Sequence, residues 1–205
     1  MDDTVMDDTD WGRLLLTIAR RALESELLGA EPMAVDLHRY PELGEARATF
    51  VTLLGPEGAL RGCIGSLKAH RPLVEDLRHN AVAAALEDPR FPPLAGAELG
   101  ETTLEISLLE PPEPFDVDDE ADALARLRPG IDGVVFRWGA HRSTFLPKVW
   151  ESLPEPKDFL AQLKRKAGLA ADFWDSRVVL ERYGVREWGE VSMGLAVGRL
   201  GERPG

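Results

Sequence analysis

Cysteine is almost absent from this 205-residue chain: Cys63 stands alone, so no internal disulfide can form. A single thiol, with an N-terminus (MDDTVMDDTD) that is acidic where a secretory leader is basic, points to a reducing, cytoplasmic setting. Long apolar runs are also missing. Leu14-Leu15-Leu16 is soon followed by Arg20 and Arg21, and nothing approaches the ~20 residues that a membrane-spanning helix needs, so no membrane partner is expected. Positive charge is scarce, with 24 Lys and Arg against 36 Asp and Glu and a net charge of −12. Long-range repulsion therefore opposes a nucleic-acid partner. Histidine is sparse and scattered (His38, His70, His79, His141), with neither HExxH nor CxxC spacing, so no metal site is expected. Asp116, Asp118, Glu120 and Asp122 lack the glycine and the final glutamate of a calcium loop. No Walker loop, GxGxxG or GxSxG occurs.

What is present reads as one domain from about residue 8 to 190, followed by a flexible Gly-rich tail over 191–205. Thr9 or Asp10 can cap a helix that carries Leu14, Leu15, Ile18, Ala22 and Leu23 at helical spacing and stops at Gly29. Ala46 to Leu54 reads as a strand, Gly55-Pro56-Glu57-Gly58 as a turn, and Ala59 to Leu67 as the returning strand. Pro72 opens a helix with Leu73, Leu77, Ala81, Ala84 and Ala85 on one face. Strands are expected at Thr102 to Leu109, at Gly133 to Trp138 with a return at Arg142 to Leu146, and at Arg177 to Val185. Helices are expected near Asp118 to Leu127, Asp158 to Lys166 and Ala171 to Trp174. Lys164-Arg165-Lys166 reads as a complement to a helix C-terminus. Hairpins and irregular helix order give an α+β class, a largely antiparallel sheet flanked by helices.

The segment LRGCIGSL (Leu60 to Leu67) is the chemical focus. Alternation along a strand puts Arg61, Cys63 and Gly65 on one face and Leu60, Gly62, Ile64 and Ser66 on the other. A guanidinium beside a thiol favours the thiolate, and the bare Gly65 leaves room for a ligand or another backbone. The pattern fits a nucleophile, a redox thiol or an anion-binding platform. It also fits a packed cysteine between glycines that mark a bulge or a tight contact. Arg90, in a loop stiffened by Pro92 and Pro93, and His141 and Arg142 at a hairpin tip complete a possible basic pocket for an anionic small molecule if they converge on that face. The alternative is that these arginines pair with the many carboxylates.

The ordered series LRGCIG, RPL, DPRFPPL, LEISLLEPPEPF, GVVF, RSTFLPKVW and LPEPKDFLAQLKRKAGL resembles the AMMECR domain family over nearly the whole chain. The resemblance implies a larger and a smaller subdomain and a cleft near LRGCIG, where Cys63 and Arg61 are candidate catalytic residues and Gly62, Gly65, Arg90, His141 and Arg142 candidate substrate contacts. It also implies company: a Memo-like metalloprotein and a radical-SAM protein, which hold the cofactors of a shared modification pathway, with none on this chain. It implies no settled reaction. A non-catalytic adaptor, in which LRGCIG is structural, stays open beside it.

Overall fold

The computed structural model describes residues 6–195. The chain forms two compact units. One is built from the chain before Leu109 and after Val185, the other from Leu109–Val185.

The first unit opens with α1 (Asp8–Leu28). Its cap is Asp7, whose carboxylate accepts from the Asp10 N–H at 2.8 Å, and not Thr9 or Asp10 as expected. Asp7 is the residue held extended while Asp8 is already helical, and only an extended residue can fold its side chain over the first turn. The helix ends at Gly29, whose φ of +68° suits glycine. Next come β1 (Ala46–Leu54), β2 (Leu60–Gly65), the short β3 (Arg71–Pro72) and α2 (Leu73–Leu86), which begins one residue after Pro72 and not with it as expected. β4 (Thr103–Leu109) and β9 (Val185–Gly189) complete the sheet, whose strand order is β2-β1-β4-β9 with β3 also on β1. The β1 pairings with β2 and β3 are antiparallel. α1 packs on α2, and α2 packs on β1 and β2. Leu15, Ile18, Leu23, Val51, Leu53, Leu77, Ala81, Leu104 and Ile106 are fully buried between these layers. β2 and β9 are the edge strands.

The second unit has its own sheet, in the order β5-β8-β6-β7, from β5 (Glu113–Pro114), β6 (Gly133–Trp138), β7 (His141–Phe145) and β8 (Val179–Tyr183), with every pairing antiparallel. α3 (Glu120–Arg126) and α4 (Pro156–Lys166) accompany it. Phe136, Phe159, Leu160 and Leu163 centre its core, where Trp150 stacks on Phe159 with 3.8 Å between centroids.

Two expectations are corrected and a third is refined. Ala171 to Trp174 is a turn and not a helix. The strand expected over Arg177 to Val185 covers only Val179–Tyr183, and past Gly184 the chain forms a further strand, Val185–Gly189, in the other sheet. Lys164, Arg165 and Lys166 stand in the last turn of α4 as expected, but Lys164 is 1% exposed and its Nζ donates to Glu120 Oε1 at 2.6 Å. Residues 191–195 form a turn that packs Met193 and Leu195 on the first core, while the rest of the expected tail lies outside the described residues.

Candidate functional site

The site grows from the β1–β2 hairpin. Its register pairs Phe50 with Gly65, Val51 with Ile64, Thr52 with Cys63 and Leu53 with Gly62, then slips so that Leu54 faces Leu60. Arg61 is therefore the extra residue of a β-bulge, a device that re-aims side chains at sheet edges. The Ser66 N–H donates to the Thr49 carbonyl, which fixes the phase of the ladder. Residues 62, 64 and 66 bond β1, and the N–H and C=O of Cys63 point off the sheet edge.

Two side chains of the Asp88-Pro89-Arg90 segment meet those groups. The Cys63 N–H donates to Asp88 Oδ2 at 2.8 Å, and Arg90 Nη2 donates to the Cys63 carbonyl at 3.3 Å. Asp88 also accepts from the Arg90 backbone N–H at 3.1 Å, from Nε at 2.9 Å and from Nη2 at 2.6 Å. The Asp88 side chain is 2% exposed, that of Arg90 53%. Arg90's side-chain bonds, helped by the N–H groups of Cys63 and Arg90, hold the Asp88 carboxyl well below the usual carboxylate range, against the opposing effect of burial. The same pairing raises the Arg90 guanidinium, and Cys63 adds to that rise.

The Cys63 thiol is half-buried, and the Thr52 hydroxyl donates to its Sγ at 3.3 Å. The guanidinium at Cys63 is thus that of Arg90. Arg61, expected in that role, is engaged elsewhere: Nε and Nη2 donate to Glu98 at 3.2 and 3.3 Å, and Nη1 to the Pro92 carbonyl at 2.9 Å. The Ala95 N–H and then Arg61 lower the Glu98 carboxyl. Each arginine of the segment is balanced by a carboxylate, so Arg61 and Arg90 make a neutral surround and not a basic one.

The two glycines do not leave space for a ligand. A Cβ on Gly62 would lie 2.0 Å from the Ala84 carbonyl oxygen of α2. A Cβ on Gly65 would lie 2.2 Å from the Phe50 ring and 2.6 Å from the Thr49 carbonyl oxygen. The protein's own backbone and an aromatic ring make the close approach. Below them lies a buried polar cluster. Fully buried Asp76 accepts from the Thr49 N–H and hydroxyl, the Asn80 amide and the Ser66 hydroxyl, all within 2.8–2.9 Å.

His141 and Arg142 belong to β7 of the second unit. The His141 ring stacks on Trp138 at 5.7 Å, and its Nδ1 bonds the Ala167 carbonyl at 2.8 Å. Arg142 is exposed and faces Arg137 across the hairpin. Of the residues expected at the site, Arg61, Gly62, Cys63, Gly65 and Arg90 are neighbours in the first unit. Thr52, Asp88 and Glu98 were missed. Asp88 had a signal, an aspartate two residues before an arginine in a proline-rich turn. Thr52 had none, because its place depends on the bulge. Among the described residues no group of three or more His, Cys, Asp or Glu side chains is arranged to hold a metal ion, and no helix is long and apolar enough to cross a membrane.

A family model described as AMMECR1 matches residues 16–188. A protein of Methanothermobacter thermautotrophicus is 37% identical over 180 residues, 85% of this chain and 91% of that one. One from Thermococcus gammatolerans is 38% identical over 174 residues, 80% of this chain and 82% of the relative. Among solved structures, the crystal structure of the uncharacterized protein PH0010 from Pyrococcus horikoshii superposes with a TM-score of 0.69 at 33% identity, covering 88% of this chain and 91% of that chain. With a match across most of its length and this shared fold, the chain belongs to the AMMECR1 family.

Proposed function

We propose that this chain is a cytoplasmic component of a modification pathway, that it works with a Memo-like metalloprotein and a radical-SAM protein, and that Cys63 is the reactive group it contributes. One observation carries the reading: the Thr52 hydroxyl and the Arg90 guanidinium converge on a half-buried Cys63 whose backbone is fixed by Asp88. A hydroxyl donor on the sulfur and a guanidinium on the same residue's carbonyl hold the thiol in one place, as a nucleophile requires. Arg90 takes the activating role that strand alternation gave to Arg61. Its Nη1 carries no hydrogen bond among the described residues and is the donor left for an anionic small molecule beside the thiol, a hydrogen-bonding contact more than a charge attraction because Asp88 already balances the guanidinium. The cofactors of the pathway reside on the partners.

A second reading is favoured by the filled glycines: LRGCIG is a packing motif, and the chain is a non-catalytic adaptor for protein or ligand. Alkylation of Cys63 in the native protein separates the two. The reactive reading expects modification of the folded protein, several-fold slower at neutral pH in Arg90→Ala and little changed in Arg61→Ala. A thiol silent until the protein unfolds sinks it. So does a Cys63→Ser variant with full function in cells that carry all three components, whereas stoichiometric co-purification of either partner with that variant supports the adaptor.

A further inference from the structure

We propose that the Asp88–Arg90 pair is a strand surrogate, an intramolecular guard that closes the free edge of β2 at Cys63 against a second copy of this chain. A sheet edge presents unpaired N–H and C=O groups and recruits other strands unless something covers it. β2 is such an edge, and its outward groups at Cys63 are met by one acceptor and one donor, the Asp88 carboxylate and the Arg90 guanidinium. A neighbouring strand offers this same pair of partners through its backbone. The guard extends along the edge, because Arg61 bonds the Pro92 carbonyl and prolines 92 and 93 have no N–H to donate.

The edge is worth guarding. Leu60 and Leu67, at the two ends of the motif, are 42% and 48% exposed, so an uncovered edge would be flanked by apolar side chains. Its sequence is also suited to pairing with itself. Two β2 strands set antiparallel about Cys63 place Cys63 opposite Cys63, where each N–H meets the other's C=O. Arg61 then lies opposite Gly65, which has no side chain to obstruct it. The guard is held by few bonds. Asp88 and Arg90 stay joined through Nε and Nη2 when they leave, so opening the edge at Cys63 itself breaks two contacts, one to the Cys63 N–H and one to its carbonyl.

Sedimentation of the full chain tests this. Asp88→Ala/Arg90→Ala is expected to sediment at twice the mass of the wild-type species at high micromolar concentration. Adding Cys63→Pro, which removes the outward N–H and is tolerated on an edge strand, is expected to restore the wild-type mass. A double variant that folds, by circular dichroism, and keeps the wild-type mass overturns the proposal. Should that variant not fold, Arg90→Lys replaces it. An ammonium keeps a charge for Asp88 but lacks the fork that spans Asp88 and the Cys63 carbonyl. Doubled mass supports the guard, and unchanged mass overturns it.

Discussion

At the scale of single residues, the two glycines and Asp88 constrain the motif more tightly than its cysteine does. The carbonyl oxygen of Ala84 lies where a Gly62 Cβ would be, and it belongs to a helix backbone that cannot rotate aside. Gly62→Ala must push α2 off β2. Overpacking of this kind costs about 1–3 kcal/mol, and a contact with backbone belongs at the upper end. Thermal denaturation should show a clear loss for Gly62→Ala and a smaller one for Cys63→Ala, which only trims a half-buried side chain. Asp88 has a pH consequence. Its carboxyl is depressed in the folded state, so its stabilising contribution is fully present above the ordinary value of 3.8 and is lost only as pH falls through the lower folded value. Hydrogen exchange at the Cys63 amide should stay protected from neutral pH down past 4, and protection that titrates away around 3.8 would contradict the pairing. Cys63 and Arg90 were legible because unusual residue types stand in unusual company. Thr52 was not: its pairing with Cys63 depends on the slip at Arg61, and a bulge leaves no mark in composition or periodicity.

At the scale of elements, the Asp76 cluster joins β1, the end of β2 and α2. Its carboxylate accepts two bonds from Thr49, one from Ser66 and one from Asn80. Asp76→Ala takes this acceptor from the Thr49 N–H and from the Thr49 and Ser66 hydroxyls, while the Asn80 amide keeps the Thr49 carbonyl. Each unsatisfied donor costs about 1–3 kcal/mol, so a loss on the order of 3–5 kcal/mol is expected after local relaxation. Chemical denaturation measures it, and Asp76→Asn, which keeps one acceptor oxygen, should recover part. A loss below about 1 kcal/mol in Asp76→Ala would mean that water replaces the carboxylate. The elements this cluster joins were also the most readable. β1 runs over the expected residues, and Leu73, Leu77, Ala81, Ala84 and Ala85 of α2 are all buried as their spacing requires. The misreadings occurred where tertiary structure decides. The strand expected over Arg177 to Val185 is β8, Val179–Tyr183, and Gly184 separates it from β9, Val185–Gly189, which joins the other sheet. Ala171 to Trp174 has helix formers but only enough length for a turn.

At the scale of the whole molecule, the chain is a sheet-and-helix unit interrupted by a second unit, Leu109–Val185, whose covalent ends are close together. The Glu110 N–H donates to the Gly184 carbonyl at 3.0 Å, so the inserted segment closes on itself where it leaves the host. It has the parts that independent folding requires. Its four strands are hydrogen-bonded in one sheet, and its apolar cluster of Phe115, Val134, Phe136, Trp150, Phe159, Leu160, Leu163 and Leu180 is drawn wholly from its own residues. Its buried polar groups are answered from within as well. Lys164 bonds Glu120, Ser143 bonds the Leu163 carbonyl, and Trp150 Nε1 donates to the Asp132 carbonyl. Adjacent ends and a private core are what let one domain be inserted in another without disturbing either fold. Residues 109–185 produced alone should therefore unfold cooperatively with heat and show dispersed amide resonances. The melting temperature should fall below that of the full chain, because a unit this small buries a smaller share of its surface. A broad, non-cooperative melt would show that the β5-β8-β6-β7 sheet needs the host to form, and that the two units are one folding entity despite their separate cores.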